Sequence, residues 1–577
     1  MAKVVLIYPG IGNGLGFNND SGERSQTWPH PGLALISALL KQHGHRVELI
    51  DLRKLSGWEM FEAQCAERNG DGEKVVFGIT VLTVNFGIAR ECASRLKKVV
   101  PNAWLVAGGP HPTLMTQQMQ ETGLFDTLVQ AEGEVVMLEI ADAIERGECP
   151  PAGIVKGKPV ANLDDLPFFD RDLFDVVEEP VLNILPRPFL TLVSGRGCLY
   201  HCTFCQPAER LMFGGVRNRS VESVIAEIKL LQRSHGLKST MFQDDCLTQD
   251  RDWVLKFCDA LETEGISLEW CCQARADIIC ANEDMVARMH QCGLRALSIG
   301  FESGSDRILK FLGKQTTAEL NLRAAEICHR HGIRMIGNFM MGIPTETEAE
   351  VWQTVDLIKK VRPYVYLISF FAPTPGSGLY TYCERNGLMR DDTDFDNYSR
   401  SPSGEKIKGV DYALLRRAYR EALRVGEKLS IEEMRRRLKE EMELRPRRVL
   451  VMRSVRSDQF NELLDDLAQC FDGLVIDAIV QRGVLDEVNH DRINGEIHPV
   501  DQQFLNADRI PEELYAHLRT IDYDAVVIPC LATYQHGYEQ PHRIAERILN
   551  GTAGRRVFIN ENREPHPEFH HAIEGAA

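Results

Sequence analysis

The chain has 577 residues, 44% of them hydrophobic and 26% charged, which excludes a mainly disordered or fibrous protein. Its 66 basic and 83 acidic residues give a net charge of −17, which argues against broad contact with a phosphate backbone, so no nucleic acid partner is expected. No apolar run approaches the roughly 18 residues that cross a bilayer, so no membrane span is expected.

Residues 4–8 form a short apolar run that reads as a first buried strand. It is too short for a signal-peptide core and no small-residue cleavage site follows, which predicts a cytoplasmic location. Residues 32–43 and 88–99 have helical spacing, and 47–51, 75–81 and 104–107 read as strands. This rhythm predicts a Rossmann-like parallel sheet over residues 1–150. The proline-rich and acidic stretch that follows predicts a linker over 151–184. A second rhythm occupies 185–400, with strands predicted at 190–194, 240–244, 268–273, 296–301, 335–341 and 365–371. Six repeats in one direction predict a partial (β/α)6 barrel of TIM type, with functional residues at the C-terminal strand ends. The arginine-rich segment 401–447 predicts a helix with a solvated face. Strands at 449–452, 474–479, 525–528 and 556–559 predict a small α/β domain over 448–577. The expected fold class is thus α/β throughout.

The 16 cysteines are scattered and suggest no disulfide framework. Three of them, Cys198, Cys202 and Cys205, stand in one loop after the first barrel strand with the spacing C-x3-C-x2-C. Three thiolates in one loop suit three irons of a [4Fe–4S] cluster and leave the fourth iron open. That iron can chelate the amino and carboxylate groups of S-adenosylmethionine, whose reductive cleavage gives a 5′-deoxyadenosyl radical. A structural zinc would need a fourth ligand, and no C-x2-C or H-x3-H partner lies nearby; His201 sits inside the loop at poor spacing.

This motif resembles the signature of the radical S-adenosylmethionine superfamily, C-x3-C-x-aromatic-C, with Phe204 in the aromatic position near the adenine. By position, the resemblance assigns Asp244, at the end of the second strand, to the methionine amino group, although the glycine-glycine-glutamate form is absent. It assigns Arg275, after the third strand, to the carboxylate. Ser298-Ile299-Gly300-Phe301-Glu302-Ser303 resembles the fourth-strand motif, with Glu302 directed at ribose or substrate. Residues 337–347, with Gly342, resemble the adenine-binding fifth-strand segment. The structural alternatives are a surface ion pair for Arg275, helix N-caps for Asp244 and Asp245, a packing role for Glu302 and a plain turn at Gly342.

In the first domain, Tyr8-Pro9-Gly10-Ile11-Gly12-Asn13-Gly14 fails the G-x-G-x-x-G pattern, and Asp51 alone does not make a dinucleotide site. The arrangement resembles instead the cobalamin-binding domain fused to many radical enzymes. The matching residues are Thr80, Gly108, Gly109, His111 and Glu134, where glycines at strand ends let backbone approach a bulky ring. There is no D-x-H-x-x-G, so no cobalt ligand is expected from that motif, and His111 has an alternative reading as a turn residue.

Together these resemblances imply three cofactors: a [4Fe–4S] cluster, S-adenosylmethionine and cobalamin. They imply a cobalamin-dependent methyltransferase acting on an unactivated carbon or phosphorus centre of a small-molecule substrate, reduced by a donor such as flavodoxin or ferredoxin. The alternatives are a non-methylating oxidative cyclase or rearrangement enzyme, or a non-catalytic corrinoid or iron–sulfur sensor. The region after residue 445 matches nothing assignable, and the substrate is not identified by the sequence.

Overall fold

In the computed structural model, the residues described are 1–10, 28–69, 75–174, 178, 180, 185–205, 212–390, 402, 404–502, 504–530, 539–550, 552, 554–560, 563 and 565–566. The stretch from Ile11 to Gly14, part of the rejected nucleotide motif, lies outside them. The chain divides into two units: Met1–Val181 with Arg187–Ala422, and Leu182–Pro186 with Leu423–Ala577.

The first unit holds two sheets. One contains β1 (Lys3–Tyr8), β2 (Arg46–Asp51), β3 (Val75–Thr80), β4 (Trp104–Gly108), β5 (Thr127–Gln130) and β6 (Gly153–Lys156). All pair in parallel in the order β2-β1-β3-β4-β5-β6, the doubly wound topology expected. Strand β6 lies inside the stretch predicted to be a linker, so the sheet runs past residue 150. Helices cover both faces. The first, Pro31–Gln42, starts with a proline in its first turn, where no amide hydrogen is needed, and His30 Nδ1 accepts from the Leu33 amide as its N-cap.

The second sheet contains β7 (Phe189–Leu192), β10 (Ser239–Phe242), β11 (Glu269–Ala274), β12 (Leu294–Glu302), β13 (Arg334–Met341) and β14 (Val365–Phe370). They are parallel and consecutive, from β7 at one edge to β14 at the other: a half-barrel left open. Two short strands, β8 (Gly195–Arg196), which follows β7 in the chain, and β9 (Arg217–Asn218), pair antiparallel. The helix Tyr412–Arg436 has the expected solvated face, with Arg416, Arg417 and Arg420 exposed, while the other face of its first half buries Leu414, Leu415, Ala418 and Ala422 in the barrel's core cluster.

The second unit has its own sheet: β15 (Arg448–Met452), β16 (Val475–Gln481), β17 (Ile497–Val500), β18 (Ala525–Cys530), β19 (Arg555–Asn560) and β20 (Pro565–His566). The order is β17-β16-β15-β18-β19-β20, with only β20 antiparallel. Within β16 a buried carboxylate, Asp477, accepts from Tyr523 Oη at 2.7 Å and from Arg448 Nε at 2.9 Å. Among the described residues no helix is long and apolar enough to cross a membrane.

Candidate functional site

The loop that carries the three cysteines is held before it reaches them. Ser194, two residues past β7, gives its amide to Asp244 Oδ2 (3.0 Å) and its hydroxyl to Asp244 Oδ1 (2.7 Å). Gly197 N donates to Asp245 Oδ2 (3.2 Å), and Gln249 grips Leu199 N and Gly197 O, each at 3.0 Å. Gly197 has φ +92°, and a Cβ there would lie 2.6 Å from Gly215 O, so the turn requires glycine. Beyond the first two cysteines, Thr203 bonds Leu312 O and Phe311 O and accepts from Leu379 N. Both carboxylates of the Asp244-Asp245 pair therefore act on the loop. The N-cap alternative fails, because Asp250 caps the following helix. Burial pushes the Asp244 carboxyl up to about 6, with the Ser194 donors opposing. Its expected role toward the methionine amino group is not visible in these contacts.

Cys198, Cys202 and Cys205 are partly exposed and in no disulfide. Arg275 stands directly after β11 with its guanidinium 3.5 Å from the Tyr200 ring centroid and Nη1 3.6 Å from Cys202 Sγ. It is 6% exposed and pairs with Asp277, so it is not a surface ion pair. Its Nη2 also donates to the carbonyl of Lys314, a residue that the motif reading missed. Lys314 is buried, with Nζ 2.9 Å from Glu302 Oε1 and 5.9 Å from the Phe204 ring centroid. Glu302 itself has φ +60°, at a register shift between β12 and β13. A cationic group, a thiolate loop and an aromatic ring thus meet at the open end of the barrel. These residues fit a cluster with an adjoining amino-acid carboxylate: three thiols in no disulfide within one loop, with the Arg275 guanidinium and the Lys314 ammonium acting on Cys202.

Gly342 follows β13 with φ +79°, and its amide and that of Ile343 donate to Glu346 Oε2 at 2.6 and 3.2 Å. A Cβ at Gly342 would lie 2.6 Å from Leu415 Cδ1 and make that side chain shift, while the positive φ is what calls for glycine. Burial pushes the Glu346 carboxyl up to about 7, with the two amides opposing.

A cavity of about 400 Å³ lies between the first sheet and this loop. Thr80, Gly108, Gly109, Gly133 and Glu134 line it from the first domain, and Gly195, Arg196, Gln243 and Asp245 from the barrel. A Cβ at Gly108 would meet nothing nearer than 3.9 Å, so the wall there is open space rather than packed core. The Glu134 Oε2 atom is buried with no hydrogen-bond partner among the described residues. An orphaned acceptor in a glycine-walled cavity fits a large, amide-bearing ring. Arg196, two residues before Cys198, pairs with Glu132 (2.9 Å) and Glu134 (2.6 Å), so it joins the two halves of the cavity.

Of two histidines in this domain, the one outside the expected site lines the cavity and the expected one does not. His111 does not line the cavity. Its ring lies 4.5 Å from that of Phe86, fully buried, with Nδ1 3.3 Å from Thr83 Oγ1. His30, unremarked in the sequence, does line the cavity, with Nε2 3.4 Å from Thr80 Oγ1. Its Nδ1 already accepts the Leu33 amide, which puts the proton of the neutral ring on Nε2 and makes that edge a donor. Its placement between Pro29 and Pro31, at a helix start, is the one sequence signal that marks it.

Two family models match the chain: the Radical SAM superfamily over residues 192–358 and the B12 binding domain over residues 21–141. An uncharacterised methyltransferase of Pyrococcus horikoshii is 28% identical over 379 residues, covering 63% of this chain and 80% of that protein. An anaerobic magnesium-protoporphyrin IX monomethyl ester cyclase of Rubrivivax gelatinosus is 25% identical over 413 residues, covering 69% and 72%. The cobalamin-dependent S-adenosylmethionine radical enzyme OxsB with aqua-cobalamin bound has the same fold, with a TM-score of 0.57 at 16% identity over 76% of this chain and 68% of that one. The chain thus carries a radical SAM domain and a B12 binding domain, and residues of both bound one cavity.

Proposed function

We propose that this protein is a methyltransferase acting on an unactivated carbon or phosphorus centre of a small molecule. The observation that carries the reading is the shared cavity: strand ends of the first sheet and the loop leading to the three cysteines bound one space. Transfer between two bound groups needs such common ground. When bound, the iron–sulfur cluster, S-adenosylmethionine and cobalamin supply the radical chemistry and the methyl relay.

The chain's own residues supply the rest. Cys198, Cys202 and Cys205 are the iron ligands. Arg275 and Lys314 present cations beside Cys202 to the carboxylate of S-adenosylmethionine, and Phe204 packs near its adenine. Glu302 holds the Lys314 ammonium in place and Gly342 shapes the turn after β13. Thr80, Gly108, Gly109 and Glu134 form the cobalamin wall, with Glu134 Oε2 accepting from amide side chains of the ring. His111 supports that wall from within the core. Reducing equivalents come from a flavodoxin- or ferredoxin-type donor, in the cytoplasm, where thiols stay reduced.

A second reading keeps the fold and changes the product, since the cyclase relative is 25% identical over 69% of the chain. One experiment separates the two. The protein is purified anaerobically from cobalamin-fed cells, its iron and corrinoid are counted, and candidate substrates are turned over with methyl-labelled S-adenosylmethionine. A product that gains one labelled methyl supports methylation. A product that only loses hydrogen, or rearranges without gaining carbon, overturns it.

A further inference from the structure

The second unit contains a cluster of side chains that no motif in the sequence announces. We propose that Glu496, His498 and His517 form a binding site for one divalent transition-metal ion of the zinc class. Each offers a ligand atom, and the three atoms lie within 4.8 Å of one another.

The local fold explains why they meet. Glu496 immediately precedes β17 and His498 lies within it, two positions on, so both side chains project from one face of the edge strand. The helix Glu512–Leu518 brings His517 to that face, and the two imidazole centroids are 5.6 Å apart. Glu496 N is fixed by Asp477 Oδ1 at 2.7 Å, and its carbonyl accepts from Ala478 N at 2.9 Å, so the strand edge is anchored in the sheet.

The spacing suits a metal. Ligand atoms about 2.0–2.1 Å from a tetrahedral zinc stand roughly 3.3 Å from one another. His517 Nε2 and Glu496 Oε2 are 3.0 Å apart. The other carboxylate oxygen, Oε1, faces the Arg448 guanidinium at 3.7 Å, and Arg448 is itself paired with Asp477, so two carboxylates share one guanidinium and the site keeps negative charge for a cation.

An ordinary surface ion pair would account for Glu496 and His517, which are about half exposed. It does not account for His498. That residue is 7% exposed, and its Nε2 is buried with no hydrogen-bond partner among the described residues. Buried polar atoms are nearly always satisfied, and one that is not calls for a missing ligand. Two imidazoles and one carboxylate leave a fourth position for water. The ion would fasten edge strand β17 to the helix Glu512–Leu518, where Pro499 removes one amide donor from the strand.

The test uses the full chain with its iron–sulfur cluster in place, incubated with one equivalent of Zn²⁺ and dialysed. Zinc is counted by elemental analysis and its ligands are read from the zinc K-edge absorption spectrum, to which iron does not contribute. The expected result is one zinc per chain with nitrogen and oxygen ligands and imidazole outer-shell scattering. His517→Ala and Glu496→Gln, both at exposed positions that leave the core intact, should lower zinc affinity by more than the roughly 10–100-fold that loss of an outer-shell partner costs. Failure to retain zinc, zinc bound only through sulfur, or undiminished retention in both variants overturns the site.

Discussion

Lys314 Nζ and Glu302 Oε1 are 2.9 Å apart because Gly300 has no side chain. A Cβ at Gly300 would strike the Glu302 carboxylate and come within 2.6 Å of Nζ. The pair is almost fully enclosed, so each charge depends on the other for its solvation. Lys314→Met should therefore destabilise the protein by about 3–5 kcal/mol, the cost of an uncompensated buried charge. The double variant Glu302→Gln with Lys314→Met should recover most of that loss. Urea unfolding of the two variants measures both values, and a single variant as stable as the parent would show that the pair is not coupled.

Cys198→Ala, Cys202→Ala and Cys205→Ala should each abolish 5′-deoxyadenosine formation and lower iron per chain. The cysteines are only partly buried and the loop is held by other residues, so circular dichroism should be unchanged. Full activity in any one of them would remove that residue from the cluster.

Gly108→Leu fills cavity rather than core, since the nearest atom to a new Cβ is 3.9 Å away. A clash of about 1–3 kcal/mol with a bound ring corresponds to about a 5- to 150-fold loss of corrinoid affinity. Absorbance of the corrinoid against iron per chain tests this. Corrinoid should fall while iron stays constant; a parallel fall in both would point to general misfolding instead.

Glu346 gives stability a pH dependence of defined sign. Its carboxyl is raised from the usual 4.5 to about 7, so the folded chain holds a proton that the unfolded chain releases. The contribution is fully present below about 4.5 and is lost as pH rises to about 7. Glu346→Gln keeps an oxygen for the amides of Gly342 and Ile343 and removes the titration. The variant should gain on the parent between pH 5 and 8, by about 3 kcal/mol at most. Equal pH profiles of urea midpoint in the two proteins would refute this.

The six barrel strands were legible within a few residues because strands covered on both faces read as continuous apolar runs. β5 and β6 were not: each has four residues, and β6 is largely exposed at the sheet edge. β17 escaped for a similar reason, with a histidine and a proline in four residues. At the site, the cysteine spacing and the strand-end positions of Asp244, Arg275, Glu302 and Gly342 were visible because they are local. Lys314 was not, since only the bulge at Glu302 brings the two together. His111 was assigned to the cofactor by the resemblance of Gly-Gly-Pro-His-Pro, with a turn as the alternative, whereas its ring is buried against Phe86 in the short helix Pro110–Leu114.

The grip of Asp244, Asp245 and Gln249 on the segment from Ser194 to Leu199 consists of hydrogen bonds alone. None of it depends on iron. The segment is a mould whose shape exists before the casting. A chain that has lost its cluster in air therefore keeps the bonds that shape the segment, and iron counted after anaerobic reconstitution is the count that reports on folding.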